Sequence, residues 1–303
     1  MKVAITGSSG LIGTALGQAL GRGGHQAVAV VRTAPEPGEI GWDPAAGTID
    51  AAGLADVDAV VNLAGPGIGD RRWTKEYKRE LRDARVKATT LIATTMAAAD
   101  NGPRILVSAS GVDYYPADSN VTFDESAAPG DGFLAQLCVD WEASTAAAAA
   151  AGHRVAIIRT GTVLAAEGGA LARMLPLFKL GLGGRFGSGR QWQSWISIDD
   201  HVAAIVHLLE GDASGPVNSV APNPVTNREL TATLGDVLNR PTLLPIPKFA
   251  PSLVFGSELV DALLYSGRRV APTVLEADGF EFRHPTLEVA LRAVLKRPKA
   301  TSP

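Results

Sequence analysis

The chain opens on a short β-branched run, Val3-Ala4-Ile5-Thr6, that passes without a linker into Gly7-Ser8-Ser9-Gly10-Leu11-Ile12-Gly13 and then into a helical pattern. Glycines at every third position between a strand and a helix leave the backbone one practical course, a tight turn that another group can approach closely. The first amides of such a helix lack intrahelical acceptors, and the positive end of the helix dipole faces the same way. Phosphate is the natural ligand there. The spacing Gly-x-x-Gly-x-x-Gly differs from Gly-x-Gly-x-x-Gly but does similar work, with Gly13 allowing close helix-to-strand packing. Gly7, Ser8, Ser9, Gly10, Leu11, Ile12 and Gly13 are therefore the expected cradle of a dinucleotide.

Downstream, apolar runs at Val3 to Thr6, Ala27 to Val31, Ala59 to Leu63, Arg104 to Ser108 and Val155 to Arg159 alternate with helical stretches at Leu11 to Arg22, Thr74 to Ala99 and Phe133 to Ala151. That rhythm predicts an α/β fold, a Rossmann-type doubly wound parallel sheet. After Gly168 it gives way to glycine-rich and proline-rich loops, which mark a smaller C-terminal substrate lobe. The expected divisions are residues 1–168 for the NADP-binding Rossmann domain, with a returning strand near 216–220, residues 169–247 for the substrate lobe, and residues 248–303 for a C-terminal segment. In that segment Gly279-Phe280-Glu281-Phe282 reads as a short strand, and the tail Lys299 to Pro303, small and polar, as a frayed end.

The second strand ends in Arg32, where NAD-specific proteins often carry an acid for the ribose 2′-hydroxyl. A guanidinium suits a 2′-phosphate, so NADP(H) is the expected cofactor. A formal net charge of -3 gives no general attraction to nucleic acid or to an anionic membrane, which leaves a small-molecule partner. One cysteine, Cys138, allows no intrachain disulfide and argues against a cysteine-based metal site. The N-terminus lacks the apolar core of a signal peptide and no run reaches membrane-spanning length, so a cytoplasmic location is expected and no metal site is assigned.

Three ordered motifs carry a resemblance: Thr6 to Gly13, Asn62-Leu63-Ala64-Gly65, and Ser108-Ala109-Ser110-Gly111-Val112-Asp113-Tyr114-Tyr115. With Arg72-Trp73, Ser194 to Asp200, Pro222-Asn223-Pro224-Val225 and Gly279 to Phe282, the chain resembles the extended short-chain dehydrogenase/reductase superfamily over nearly its whole length. The branch it is similar to is atypical, epimerase/dehydratase-like, with an uncharacterised C-terminal domain. The resemblance implies Leu63, Ala64 and Gly65 beside the cofactor's adenosine and ribose, Ser108 near the cofactor, and Ser110 on the reacting oxygen. It also implies a Tyr-x-x-x-Lys pair on the following helix, whose members share one helix face. With the family's trailing glutamate set on Glu142, those positions hold Leu134 and Cys138, so the usual proton-transfer pair is absent.

Replacement groups are sought near Ser110. Tyr114 is the candidate for a proton-transfer or substrate role, with aromatic packing as the alternative. Arg85 stands where many superfamily members carry asparagine; it either turns inward to an anion or the nicotinamide, or outward to solvent. Arg71, Arg72 and Trp73 stand on a glycine-rich loop able to line a cleft. Arg190 and Trp192, in Arg185 to Trp195, suit a substrate-facing wall or a packed hairpin. Asp199 and Asp200 read as helix caps. The reading that follows is an NADP(H)-binding oxidoreductase or epimerase-like protein with a non-standard proton donor, the alternative being a catalytically silent NADP(H)-binding sensor or scaffold. A homodimer is an expectation of the superfamily. Arg32→Ala is expected to weaken NADPH binding far more than NADH binding in calorimetry; equal losses would remove the 2′-phosphate assignment.

Overall fold

The computed structural model describes residues 1–117 and 120–297; the tail Lys299 to Pro303, expected to fray, lies outside them. The strands are β1 (Lys2–Thr6), β2 (Gln26–Val31), β3 (Ile40–Asp43), β4 (Thr48–Ile49), β5 (Ala59–Asn62), β6 (Ile105–Gly111), β7 (Thr122–Phe123), β8 (Arg154–Thr160), β9 (Thr162–Leu164), β10 (Trp192–Gln193), β11 (Trp195–Ser197), β12 (Gly215–Ser219), β13 (Val225–Thr226) and β14 (Arg269–Val270). The helices are α1 (Leu11–Arg22), α2 (Ala51–Ala55), α3 (Lys75–Ala98), α4 (Phe133–Ala143), α5 (Ala146–Ala150), α6 (Gly169–Lys179), α7 (Ile198–Glu210), α8 (Asn227–Leu238), α9 (Phe249–Phe255), α10 (Ser257–Val260), α11 (Thr273–Ala277) and α12 (Leu287–Val294).

Eight strands form one sheet in the order β12-β8-β6-β5-β1-β2-β3-β4, parallel except where β4 returns antiparallel on β3. Its central strands are apolar on both faces, as a parallel sheet covered by helices requires. Side-chain parity sorts them: Val3 and Ile5 join Leu16, Leu20 and Ile205 on the α1/α7 face, while Ala4 joins Ile92, Met96 and Leu106 on the α3 face. A separate core around Trp195 unites α6, α8 and α12, so the C-terminal helix packs into the second lobe. No helix among the described residues is long and apolar enough to cross a membrane.

Four local expectations change. The single helix expected over 133–151 breaks after Ala143, where the Ser144 and Thr145 hydroxyls bond back to the carbonyls of Asp140 and Glu142 and compete with the helical ladder. The strand expected at 104–108 runs on to Gly111, which puts Ser110 inside it. Gly279 to Phe282 is not a strand: Phe280 and Phe282, edge-to-face with each other, pack against the core that contains α7. Just beyond them, the Arg283 and His284 amides donate to the carboxylate of Asp200. Asp200 is thus a buried anchor, and the cap of α7 is Ser197, whose hydroxyl accepts from the Asp200 amide.

Two consequences are measurable. A Cβ on Gly13 would lie 2.2 Å from the Gly7 carbonyl oxygen, so Gly13→Ala is expected to cost about 1–3 kcal/mol in urea unfolding, and an unchanged midpoint would mean the turn relaxes freely. His201 is fully buried, and burial holds its imidazole down at about 4 from an ordinary 6.5. The unfolded chain binds a proton that the native state refuses, so this stability is complete above pH 6.5 and drains away as pH falls towards 4. Urea midpoints compared between about pH 7 and pH 4.5 should fall less for His201→Asn than for wild type.

Candidate functional site

The C-terminal ends of β1, β5 and β6 make the edge on which the glycine turn sits. Gly7 takes φ +68°, and its α-carbon faces the Leu63 carbonyl so closely that a Cβ would stand 3.1 Å from it. That approach joins the turn to the loop after β5. Thr6 secures the join: its hydroxyl donates to Asn62 Oδ1 at 2.8 Å and accepts from the Leu63 and Ala64 amides at 3.1 and 3.2 Å. Asn62 in turn donates to Thr89 on α3, which also accepts from Trp141 on α4. Leu63 and Ala64 are half-buried at this edge and Gly65 is exposed.

The residues present fit a dinucleotide. Helix α1 begins after Gly10, which offers no side-chain cap, so its first-turn amides are left for a ligand, and Ser9 and Gly10 are exposed beside half-buried Ser8, Leu11 and Ile12. Gly13 is buried against the turn. Arg32 is exposed at the end of β2 and forms no ion pair among the described residues, which leaves its guanidinium to a phosphate.

Further along the same edge lies a cavity of about 140 Å³, walled by Asp113, Thr160, Trp192, Ser194 and, from the C-terminal segment, Ser266 and Arg268. Two glycines let its walls meet: a Cβ on Gly161 would strike the Ser194 carbonyl oxygen at 2.6 Å, and one on Gly267 the Trp192 carbonyl oxygen at 2.0 Å. Asp113 forms an ion pair with Arg268 at 2.8 Å while a quarter of its side chain stays exposed. Burial raises its pKa, against the opposing pull of Arg268. Trp192 is held by the Arg269 guanidinium, 4.5 Å from its ring.

The other expected site residues fall in different places. Ser110 is buried, and its hydroxyl donates to Glu142 Oε1 at 2.7 Å. Ser108 is buried deeper in β6, its hydroxyl without a partner among the described residues. The Tyr114 ring lies under the Arg159 guanidinium at 3.4 Å and does not wall the cavity, whereas its neighbour Asp113 does. Leu134 and Cys138 are buried on α4, and burial pushes the Cys138 thiol up to about 12, a packed and unreactive group.

Arg85 turns inward, donating to the Leu81 and Pro66 carbonyls at 2.9 and 2.8 Å, and it too is absent from the cavity wall. Arg190 is exposed and lies outside the wall. Arg72 grips carbonyls at the end of α9, Arg71 pairs with Glu80, and the Trp73 indole donates to the Ile68 carbonyl. These three brace loops. Sequence reasoning missed Arg268, for which no motif stood out, and used Glu142 only as a landmark.

The comparisons agree with this architecture. Residues 3–221 match the NAD dependent epimerase/dehydratase family, and residues 246–294 match a domain of unknown function, DUF1731. An epimerase family protein of Mycobacterium bovis is 47% identical over 298 residues, covering 98% of each chain. The human epimerase family protein SDR39U1 is 38% identical over 299 residues, covering 97% of this chain and 100% of the human one. A crystal structure of human SDR39U1 (isoform 2) with NADPH superposes with a TM-score of 0.87 at 34% identity, covering 98% of this chain and 100% of that one. A structure described as the nucleoside-diphosphate sugar epimerase from Corynebacterium glutamicum gives 0.78 at 37% identity, covering 97% of this chain and 58% of that one. A two-faced parallel sheet, a glycine turn at its edge and a match over most of the chain lead to one conclusion: the protein belongs to the NAD dependent epimerase/dehydratase family, as an atypical extended short-chain dehydrogenase/reductase.

Proposed function

We propose that the chain is a cytoplasmic NADP(H)-dependent oxidoreductase acting on a small molecule with a carbonyl or alcohol group held between Asp113, Trp192 and Arg268. The observation that carries this reading is that one sheet edge holds both the glycine turn and a polar cavity furnished with a titratable carboxylate. The uncapped amides of α1 would hold the pyrophosphate and Arg32 the 2′-phosphate, as the NADPH-bound human relative supports. When bound, the cofactor supplies redox chemistry at its nicotinamide.

The chain's own residues then position the substrate and move a proton. Leu134 and Cys138 are unsuited to that step, one apolar and the other a thiol held protonated. Asp113 is the candidate, a carboxyl at the cavity wall whose pKa burial raises towards the range useful for proton transfer while its partner Arg268 pulls the other way. Ser110, committed as a donor to Glu142, keeps lone pairs and serves as an acceptor and spacer beneath the site. The missing Tyr-Lys pair favours a second reading, an NADP(H)-responsive sensor or scaffold without turnover.

The two separate in one experiment. Protein loaded with NADPH is followed by absorbance across aldehydes, ketones, quinones and nucleotide sugars, for wild type, Asp113→Asn and Ser110→Ala. The enzyme reading expects NADPH consumption with at least one class, reduced about 10²-fold or more in Asp113→Asn while NADPH binding is retained. Tight NADPH binding with no turnover on any class would transfer the assignment to the sensor.

A further inference from the structure

Two arginines are buried in the first lobe, and they are treated differently. Arg159, 3% exposed, meets Glu142 at 2.8 Å in a paired, hydrogen-bonded arrangement. Arg85, 6% exposed, has no carboxylate within ion-pairing distance among the described residues. Among the described residues its partners are two neutral carbonyls, those of Leu81 and Pro66, and the face of Trp141, 5.1 Å from the guanidinium. Its Nε is buried with no acceptor among the described residues, and burial lowers its pKa. A buried charge left without a counter-charge is costly, and protein interiors retain one only where something compensates it.

The position of Arg85 indicates what that is. Its guanidinium carbon would lie 3.2 Å from a Cβ on Gly65, so glycine is what lets the cation sit directly under the loop after β5. Through Pro66 it holds the far end of the segment whose near end, Leu63, abuts Gly7. The cation therefore underlies the loop that borders the glycine turn. The side-chain hydroxyl of Tyr77 and the indole of Trp73, which bond the carbonyls of Gly67 and Ile68, hold the rest of that loop without adding negative charge.

The geometry points to Arg85 as a positioning residue for the dinucleotide: it fastens the Leu63 to Pro66 wall and holds beneath it a positive charge that is compensated only when an anionic ligand fills the adjoining edge. Arg85 does not touch that ligand, since its guanidinium is sealed by the loop. It acts through the loop and through its field, which low-dielectric surroundings screen little. In the ligand-free protein the same charge is a liability, and an apolar side chain of similar length is tolerated at least as well. This rests on the dinucleotide reading above.

The test measures two quantities on the full chain: the dissociation constant for NADPH by fluorescence, and the melting temperature without ligand. Arg85→Met removes the charge at similar length, and Arg85→Lys keeps the charge but cannot span both carbonyls. We expect NADPH affinity to fall about tenfold or more in Arg85→Met and less in Arg85→Lys, with the ligand-free melting temperature of Arg85→Met unchanged or raised. Wild-type affinity in Arg85→Met overturns the inference. So does a lowered ligand-free melting temperature in Arg85→Met combined with Arg85→Lys binding no better than it, which is the signature of a structural tie alone. If Arg85→Met does not fold, Arg85→Gln, polar and uncharged, takes its place under the same criteria. Failure of the wild type to bind NADPH overturns the cofactor reading itself and this inference with it; normal wild-type binding with an indifferent Arg85→Met overturns only the inference.

Discussion

The buried pairing of Arg159 with Glu142 is the interaction on which the site end of the molecule depends. Arg159 projects from β8 and meets the Glu142 carboxylate through Nε at 2.9 Å and through a terminal nitrogen at 2.8 Å, while its other terminal nitrogen reaches the Tyr115 hydroxyl at 2.9 Å. Burial works against its charge, but the hydrogen bonds and charge of Glu142 outweigh it and raise the arginine's pKa. Tyr115 passes the connection to Asn218 on β12, and Glu142 also accepts a hydrogen bond from the hydroxyl of Ser110 on β6. Three neighbouring strands and α4 are thereby locked at their C-terminal ends. Breaking such a pair leaves a bare buried charge, which costs far more than the pair contributes when intact.

That lock decides what the residues nearby can do. Tyr115 is buried, its phenol pushed up to about 12 by burial, and the half-buried Tyr114 stacks its ring on the Arg159 guanidinium. Asp113 is the ionisable residue that this turn, with Val112 beside it, presents to the cavity, and Arg268 from the C-terminal segment meets it there. The C-terminal segment thus completes the cavity wall. Arg85 is the counter-example to Arg159: the same side chain, similarly buried, but held by neutral oxygens under a loop whose other neighbour is the glycine turn.

Much of the first lobe was legible in the sequence because its signals are local. The β-branched runs, their parity, the helix over Leu11 to Arg22 and the glycine turn are each written within a few adjacent residues. Short-range chemistry also explains the misses. The break after Ala143 comes from hydroxyls that compete for helical carbonyls, and Gly279 to Phe282 lost its strand to two phenylalanines drawn into a distant core. The β3/β4 hairpin escaped notice because its strands are only four and two residues long.

By itself, the sequence determined a phosphate-binding turn at a sheet edge and a cation at the end of β2, since both follow from backbone conformation and residue type at contiguous positions. Only the tertiary structure decided which side chains share a cavity, which arginine is neutralised and which is not, and that Asp113 rather than Tyr114 stands at the open wall. Those outcomes depend on burial and on partners brought from remote parts of the chain, and the free energy of a charge is set by its surroundings, which no local spacing encodes.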